Sequence, residues 1–309
     1  MITALFSATD SNWDKFGEPL RAAFESAGLV VNLTREADAS VVDYIIYAPN
    51  STLQDFAPFS KLKAVFSLWA GVETAVNNPT LKVPFTRMVS DGLSEGMVEW
   101  CVGHVLRHHL GMDRDICRQD AVWDPVIPPL ARDRPVTILG LGALGQAVAQ
   151  ALVSLNFPVS GWSRSPKQIA GVRCLNGDAG LTEVLRGAEI VVLLLPDTPQ
   201  TESVLNKDRL ALLATGAFVI NPGRGPLIDD DALLGALDSG QLAHATLEVF
   251  RTEPLPQAHA FWDHPQVTVT PHIASTTRPE TAASVIAENI TRGEAGKPFR
   301  YLVDRGLGY

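Results

Sequence analysis

The sequence predicts an α/β protein built from two doubly wound, parallel-sheet domains, on three observations. The stretch Val136–Gly145 reads Val-Thr-Ile-Leu-Gly-Leu-Gly-Ala-Leu-Gly, an apolar run that ends in glycines at 140, 142 and 145. A helical pattern follows directly, with Ala147, Val148, Ala151, Leu152 and Leu155 on one face. Residues 1–90 alternate short apolar runs with amphipathic segments, which implies a parallel sheet with helices on its faces. A second series of the same kind begins at Val136, and its near-continuous apolar runs suit strands buried on both faces.

In the first series the expected strands are Ile2–Ser7, Leu29–Leu33, Tyr44–Ala48 and Ala64–Leu68, with a helix over Trp13–Ala27. A long helix is expected from Ser94 as N-cap, with Glu95 in its first turn, to about Arg118. Four prolines in the segment Trp123–Pro135 exclude helix there and mark an ordered, wrapping loop. The second series predicts strands at Val136–Leu139, Val159–Trp162, Ile190–Leu195, Ala217–Ile220, His244–Glu248 and Val267–Thr270. Thr277 and Glu280 fit a capping box that opens a last helix, which reaches about Ala295 and returns to the first domain. The expected division is therefore 1–94 plus 276–309 for one domain and 95–275 for the other.

At 309 residues, 46% of them hydrophobic, the chain can build two ample cores. No apolar run is long enough for a transmembrane helix, and the N-terminal segment lacks the basic region of a signal peptide. A net charge of −9 argues against nucleic acid as the main ligand. Cys101, Cys117 and Cys174 are scattered and lack metal spacing, as expected of reduced thiols in a cytoplasmic protein.

Glycines that join a strand to a helix in this pattern form a dinucleotide fingerprint. Gly140 permits the tight turn, Gly142 lets the backbone approach a pyrophosphate, and Gly145 lets the helix lie close to the strand. The helix then offers the N–H groups of its first turn, around Ala143 and Leu144, to the phosphates. About 20 residues on, an acidic side chain normally accepts the ribose 2′-hydroxyl of NAD. Here the chain reads Gly161-Trp-Ser-Arg-Ser-Pro-Lys167, with Ser163 in the carboxylate's place. Ser163, Arg164, Ser165 and Lys167 form a cationic, hydroxyl-rich cluster that suits a 2′-phosphate, so NADPH is expected over NADH.

Three further groups follow successive strands at the edge where open α/β sheets bind ligands. Arg224 follows Ala217–Ile220, Glu253 follows His244–Glu248, and His272 follows Val267–Thr270. Each has an ordinary reading alone: a solvated loop cation, an exposed loop acid, a structural histidine. Their shared edge lets them converge on one catalytic task. His104, His108 and His109 lie on the long helix without a third metal ligand. They are read as helix-surface or subunit-contact residues, and no metal is expected.

As a set, Gly140–Gly145, Leu193-Leu-Leu-Pro-Asp-Thr-Pro-Gln-Thr201, Asn221-Pro-Gly-Arg-Gly225, Glu253-Pro-Leu-Pro256 and Thr270-Pro-His-Ile273 resemble the D-isomer-specific 2-hydroxyacid dehydrogenase family. The resemblance covers nearly the whole chain. The Trp-Ser-Arg-Ser loop and the Thr-Arg-Pro after the histidine look most like its glyoxylate/hydroxypyruvate reductase branch. It implies a Rossmann-type cofactor domain inserted into a flavodoxin-like substrate domain, with a closing cleft between them; the long helix and the proline-rich loop over 94–135 offer a large surface, so a homodimer is expected. It also implies reduction of a small 2-keto acid by NADPH, with Arg224 holding the substrate carboxylate. His272 is then the proton donor, and Glu253 bonds its far nitrogen. Leu195 and Pro196 are expected along the cofactor, and Asn221, Pro222 and Gly223 near the nicotinamide ribose. Tyr47, Trp69, Ala70 and Gly71 are expected as substrate contacts.

Two positions depart from the family pattern. Glu248, in Glu-Val-Phe, stands where an Asp normally sits near the nicotinamide amide. Trp69 stands where a small or polar residue is usual, and either closes the pocket over a small substrate or forms a stacking wall for an aromatic one. The rival readings are a reductase of a larger 2-keto acid, aryl or sugar-derived, and a dinucleotide-sensing scaffold.

Overall fold

The computed structural model describes residues 1–117, 121–306 and 308. Arg118, the expected end of the long helix, lies outside them. In chain order the strands are β1 (Ile2–Ser7), β2 (Val31–Thr34), β3 (Tyr44–Tyr47), β4 (Ala64–Ser67), β5 (Phe85–Thr86), β6 (Val136–Leu139), β7 (Val159–Ser163), β8 (Val172–Asn176), β9 (Ile190–Leu193), β10 (Ala217–Asn221), β11 (Leu242–Leu247) and β12 (Val267–Val269). The helices are α1 (Asp10–Ser26), α2 (Glu73–Val76), α3 (Asp91–Leu110), α4 (Met112–Ile116), α5 (Ala143–Ser154), α6 (Gly177–Leu185), α7 (Lys207–Leu210), α8 (Asp230–Asp238) and α9 (Pro279–Glu294).

The chain divides into two compact units, Met1–Leu93 with Thr277–Tyr309, and Ser94–Thr276. In the first, a parallel sheet runs β2-β1-β3-β4-β5. That is the order of a flavodoxin-like sheet. β3 and β4 are buried along their whole length, which is why both read as unbroken apolar runs. α1 begins at Thr9, whose hydroxyl accepts the Asn12 N–H at 3.3 Å. α9 packs on α1. Glu294 at its end accepts from Tyr44 Oη at 2.7 Å and from Lys63 Nζ at 2.7 Å, tying the helix to the sheet.

The second unit holds a seven-stranded parallel sheet in the order β12-β11-β10-β9-β6-β7-β8. Chain direction away from the centre reverses between β6 and β9, so their C-terminal ends form the switch point where such sheets bind dinucleotides. The core lies on both faces: Leu139, Leu193 and Leu247 belong to one apolar cluster, and Ile138, Val192 and Ile220 to another. Both architectures are those the sequence predicts.

Four local expectations are corrected. The long helix begins at Asp91, because Ser90 Oγ accepts the Leu93 N–H at 3.4 Å and is the cap; Ser94 lies inside the first turns. It stops at Leu110, where Gly111 takes φ +65, a left-handed stop that favours glycine. The Thr277–Glu280 capping box does not form. Pro279 opens α9 after Arg278, and the Thr277 hydroxyl donates to the Leu68 carbonyl at 2.8 Å instead. β5 and β8 were not anticipated: the former has two residues, and the latter is a half-exposed edge strand with no apolar run.

Candidate active site

Because the sheet of the second unit is parallel, every β-strand in it delivers its following residue to one edge. β6 delivers Gly140 at φ +109. A Cβ there would overlap the Leu194 carbonyl, and one on Gly145 would overlap the Gly140 carbonyl oxygen. These two glycines are required by close packing of the turn. Gly142 differs: a Cβ would meet nothing within 4 Å. It caps α5 with no side-chain hydrogen bond, so the first-turn N–H groups of Ala143, Leu144 and Gly145 have no helix acceptor. This is an anion cradle, and it fits a dinucleotide pyrophosphate.

β7 ends at Ser163, which is 8% exposed and donates from Oγ to the Ser165 carbonyl at 2.7 Å. That bond shapes the turn on which Arg164, Ser165 and Lys167 are exposed. Beyond β9, Thr201 holds the segment from Leu195 and Pro196 onward. Its hydroxyl donates to the Pro196 carbonyl at 2.7 Å and accepts the Thr198 N–H at 2.9 Å. Thr201 stands in a motif noted in the sequence, yet its role as a hub came only with the structure.

β10 ends at Asn221, 1% exposed. Its Oδ1 accepts the Gly223 N–H at 3.1 Å and its Nδ2 donates to the Arg224 carbonyl at 2.9 Å. The Asn221 side chain thus builds the turn through Pro222 and Gly223 that presents Arg224. Arg224 is half-buried and donates from Nη1 to the Gly223 carbonyl at 2.7 Å. A Cβ on Gly225 would overlap the Phe250 backbone, so the Arg224 and Glu253 loops touch through their main chains.

Glu253 and His272 meet as a pair. Glu253 Oε1 accepts the Phe250 N–H at 2.9 Å, and Oε2 lies 2.7 Å from His272 Nδ1. The His272 side chain is 55% exposed, and its backbone takes φ +52, a sparsely populated region for a non-glycine residue. Glu248 does not present its carboxylate to the surface. It is 0% exposed, and its side chain accepts from the Thr270 hydroxyl and the Ala274 N–H.

In the first unit, Trp69 is 40% exposed and its N–H donates to Ser67 Oγ at 3.0 Å. Ala70 and Gly71 beside it are half-buried. Tyr47 is corrected. It is 2% exposed, with its ring edge-on to Phe56 at 5.5 Å inside the core, so it lines no binding surface.

The helix histidines are corrected too. His108 and His109 are buried, at 4% and 5% exposure. His108 Nε2 lies 2.8 Å from Thr246 Oγ1, and its ring stacks on Phe218. Burial pushes His108 down to about 3, helped by His244. Burial likewise takes His104 and His244 down to about 4, with Arg107 contributing to each. His108 is a neutral core group, and His104 and His244 are half-buried beside it. Among the described residues no three His, Cys, Asp or Glu side chains group to hold a metal.

The model of the D-isomer specific 2-hydroxyacid dehydrogenase NAD binding domain matches residues 101–274. A glyoxylate/hydroxypyruvate reductase A of Serratia proteamaculans is 44% identical over 257 residues, 81% of this chain and 82% of that one. A D-isomer specific 2-hydroxyacid dehydrogenase from Xanthobacter autotrophicus Py2, solved with NADPH and MES, superposes with a TM-score of 0.91 at 40% identity, over 100% of this chain and 99% of that one. An NADPH-dependent glyoxylate/hydroxypyruvate reductase from Sinorhizobium meliloti, solved with NADP and sulfate, gives a TM-score of 0.88 at 34% identity, with both chains fully covered. With the glycine cradle, the arginine turn and the Glu–His pair on one sheet edge, the chain belongs to the D-isomer specific 2-hydroxyacid dehydrogenase family.

Proposed function

We propose that this protein reduces small 2-keto acids, glyoxylate and hydroxypyruvate, to D-2-hydroxy acids with NADPH. The observation that carries the reading is the 2.7 Å contact between Glu253 Oε2 and His272 Nδ1, one loop away from Arg224. The names of the reductases it resembles supply the substrate class. Bound NADPH supplies a hydride to the keto carbon. Arg224 holds the substrate carboxylate and polarises the keto oxygen, a task suited to a planar guanidinium fork. Glu253 holds Nδ1, which leaves Nε2 of His272 to deliver a proton to that oxygen. Ala70 and Gly71, with Trp69 beside them, are proposed to offer N–H groups to an anionic substrate.

The cofactor reading rests on the cradle of Gly140, Gly142 and Gly145 and on exposed Arg164, Ser165 and Lys167. A carboxylate at 163 would repel a 2′-phosphate; a serine does not. The three cysteines are free thiols, which supports a cytoplasmic site of action. A homodimer is proposed from an apolar stretch in the second unit. Ile116, Trp123 and Ile127 are 70%, 95% and 89% exposed there. Apolar surface of that kind is normally covered by a partner.

The direct test follows absorbance of the reduced nicotinamide with glyoxylate and hydroxypyruvate, using NADPH and NADH in parallel. Fast NADPH oxidation with slower NADH oxidation is the expected result. No turnover with either cofactor, from folded protein that binds dinucleotide, would overturn the substrate assignment. Arg224→Ala should abolish turnover while leaving dinucleotide affinity intact; activity surviving it would remove Arg224 from the mechanism.

A further inference from the structure

The buried carboxylate of Glu248 has no place in the roles given so far, and its surroundings are specific. It follows β11 at full burial, 0% exposed. A carboxylate so enclosed must be hydrogen-bonded, since an unmet one is costly. Its oxygens accept from the Thr270 hydroxyl and the Ala274 N–H. Its own carbonyl accepts the His272 N–H at 3.1 Å. One residue therefore grips positions 270, 272 and 274, every second residue across the turn that carries the histidine.

That turn needs gripping. His272 sits at φ +52, a conformation that persists in a non-glycine residue only when its neighbours over-determine it. Behind it, α3 comes close enough that a Cβ on Gly96 would lie 3.1 Å from the Ala274 carbonyl oxygen. The segment is thus held against α3 on one side and bonded to Glu248 on the other. An aspartate carboxylate would reach about 1.5 Å less, one carbon–carbon bond, and could not meet both donors from the same backbone.

We propose that Glu248 is a positioning residue: it clamps the 270–274 turn and so sets where His272 meets the substrate, and it does not bind the nicotinamide. The proposal rests on the reductase reading for its effect on turnover. The clamp itself is a property of the chain alone.

Two measurements on Glu248→Ala and Glu248→Gln test it. The first is amide hydrogen exchange over residues 270–276 without cofactor, which needs no turnover and stands whatever the substrate proves to be. Exchange there is expected to accelerate at least tenfold in Glu248→Ala. The amide of Glu248→Gln can still accept from Ala274 N–H and donate to the Thr270 hydroxyl, so it is expected to restore most of the protection. The second is steady-state kinetics with a separate NADPH titration. For Glu248→Ala, kcat is expected to fall about 10- to 100-fold with NADPH Kd changed by less than threefold, and Glu248→Gln to recover most of that loss. Unchanged exchange at 270–276 would overturn the clamp. So would NADPH binding weakened tenfold or more with kcat unchanged at saturation, which would return Glu248 to the nicotinamide. If Glu248→Ala fails to fold, Thr270→Val removes one donor and should show the same pattern more weakly. Unchanged exchange and kcat in that variant would count against the proposal.

Discussion

His272, Glu253 and Arg224 lie on three separate loops, and Glu253 and His272 meet directly. His272→Asn keeps a polar amide near the position of Nδ1 and removes the proton donor. It should lower kcat by about 100- to 10,000-fold, the usual range for a positioned acid, while NADPH Kd stays within threefold. A rapid-equilibrium titration beside the turnover assay separates the two effects. Arg164 is the residue on which coenzyme choice turns. Losing a charge-assisted bond of about 1.5–3 kcal/mol, Arg164→Ala should raise KM for NADPH about 10- to 100-fold and leave KM for NADH nearly unchanged. Equal effects on both coenzymes would remove the 2′-phosphate from its role.

At the scale of the element, the glycine turn joins β6 to α5 with main chains in near contact. Gly145 sits where any Cβ would overlap the Gly140 carbonyl oxygen, a backbone atom that cannot swing aside. Gly145→Ala is therefore expected to destabilise the protein by about 1–3 kcal/mol or more through overpacking. It should also weaken dinucleotide binding, because the start of α5 must move. Thermal unfolding with and without NADP measures both. Gly142→Ala is the control: its Cβ meets open space, so stability should hold while pyrophosphate binding suffers. These glycines were legible in the sequence because their spacing follows from the turn itself. The capping box at Thr277 was not, because Pro279 sets the start of α9 and the hydroxyl found a distant acceptor, the Leu68 carbonyl.

Over the whole molecule, three desolvated histidines contribute to the response to acid. His104, His108 and His244 are held neutral, at about 4, 3 and 4, chiefly by desolvation. An unfolded histidine titrates near 6.5. Below that value the unfolded chain binds protons that the folded chain refuses, so stability is fully present above about pH 6.5 and is lost as pH falls toward 4, and toward 3 for His108. Each group contributes at most about 1.4 kcal/mol per pH unit across that window. Chemical denaturation between pH 7.5 and 4.5 should show the midpoint falling with acid. His108→Gln should flatten the slope; a pH-independent midpoint would contradict their burial. The proposed dimer is tested by sedimentation: Trp123→Ser with Ile127→Ser should yield a monomer, and a wild-type monomer at micromolar concentration would rule the dimer out.

The sequence by itself determined both sheets, because strands buried on two faces must be apolar throughout and their alternation with helices permits only parallel connections. It also determined the glycine cradle and the order of Arg224, Glu253 and His272 along one edge, since each directly follows a recognisable strand. Tertiary structure decided which way side chains point and what covers them. Tyr47 follows from its strand but faces the core. His108 and His109 look like surface residues of a helix, yet α3 is buried there; His108 lies against Phe218 and Thr246, and His109 against Phe157. Glu248 reads as a cofactor-side acid, but its reach takes the carboxylate inward to Thr270 and Ala274. The physical reason is common to all three. Local pattern specifies which backbone element forms, whereas burial and hydrogen-bond partners depend on residues distant in the chain.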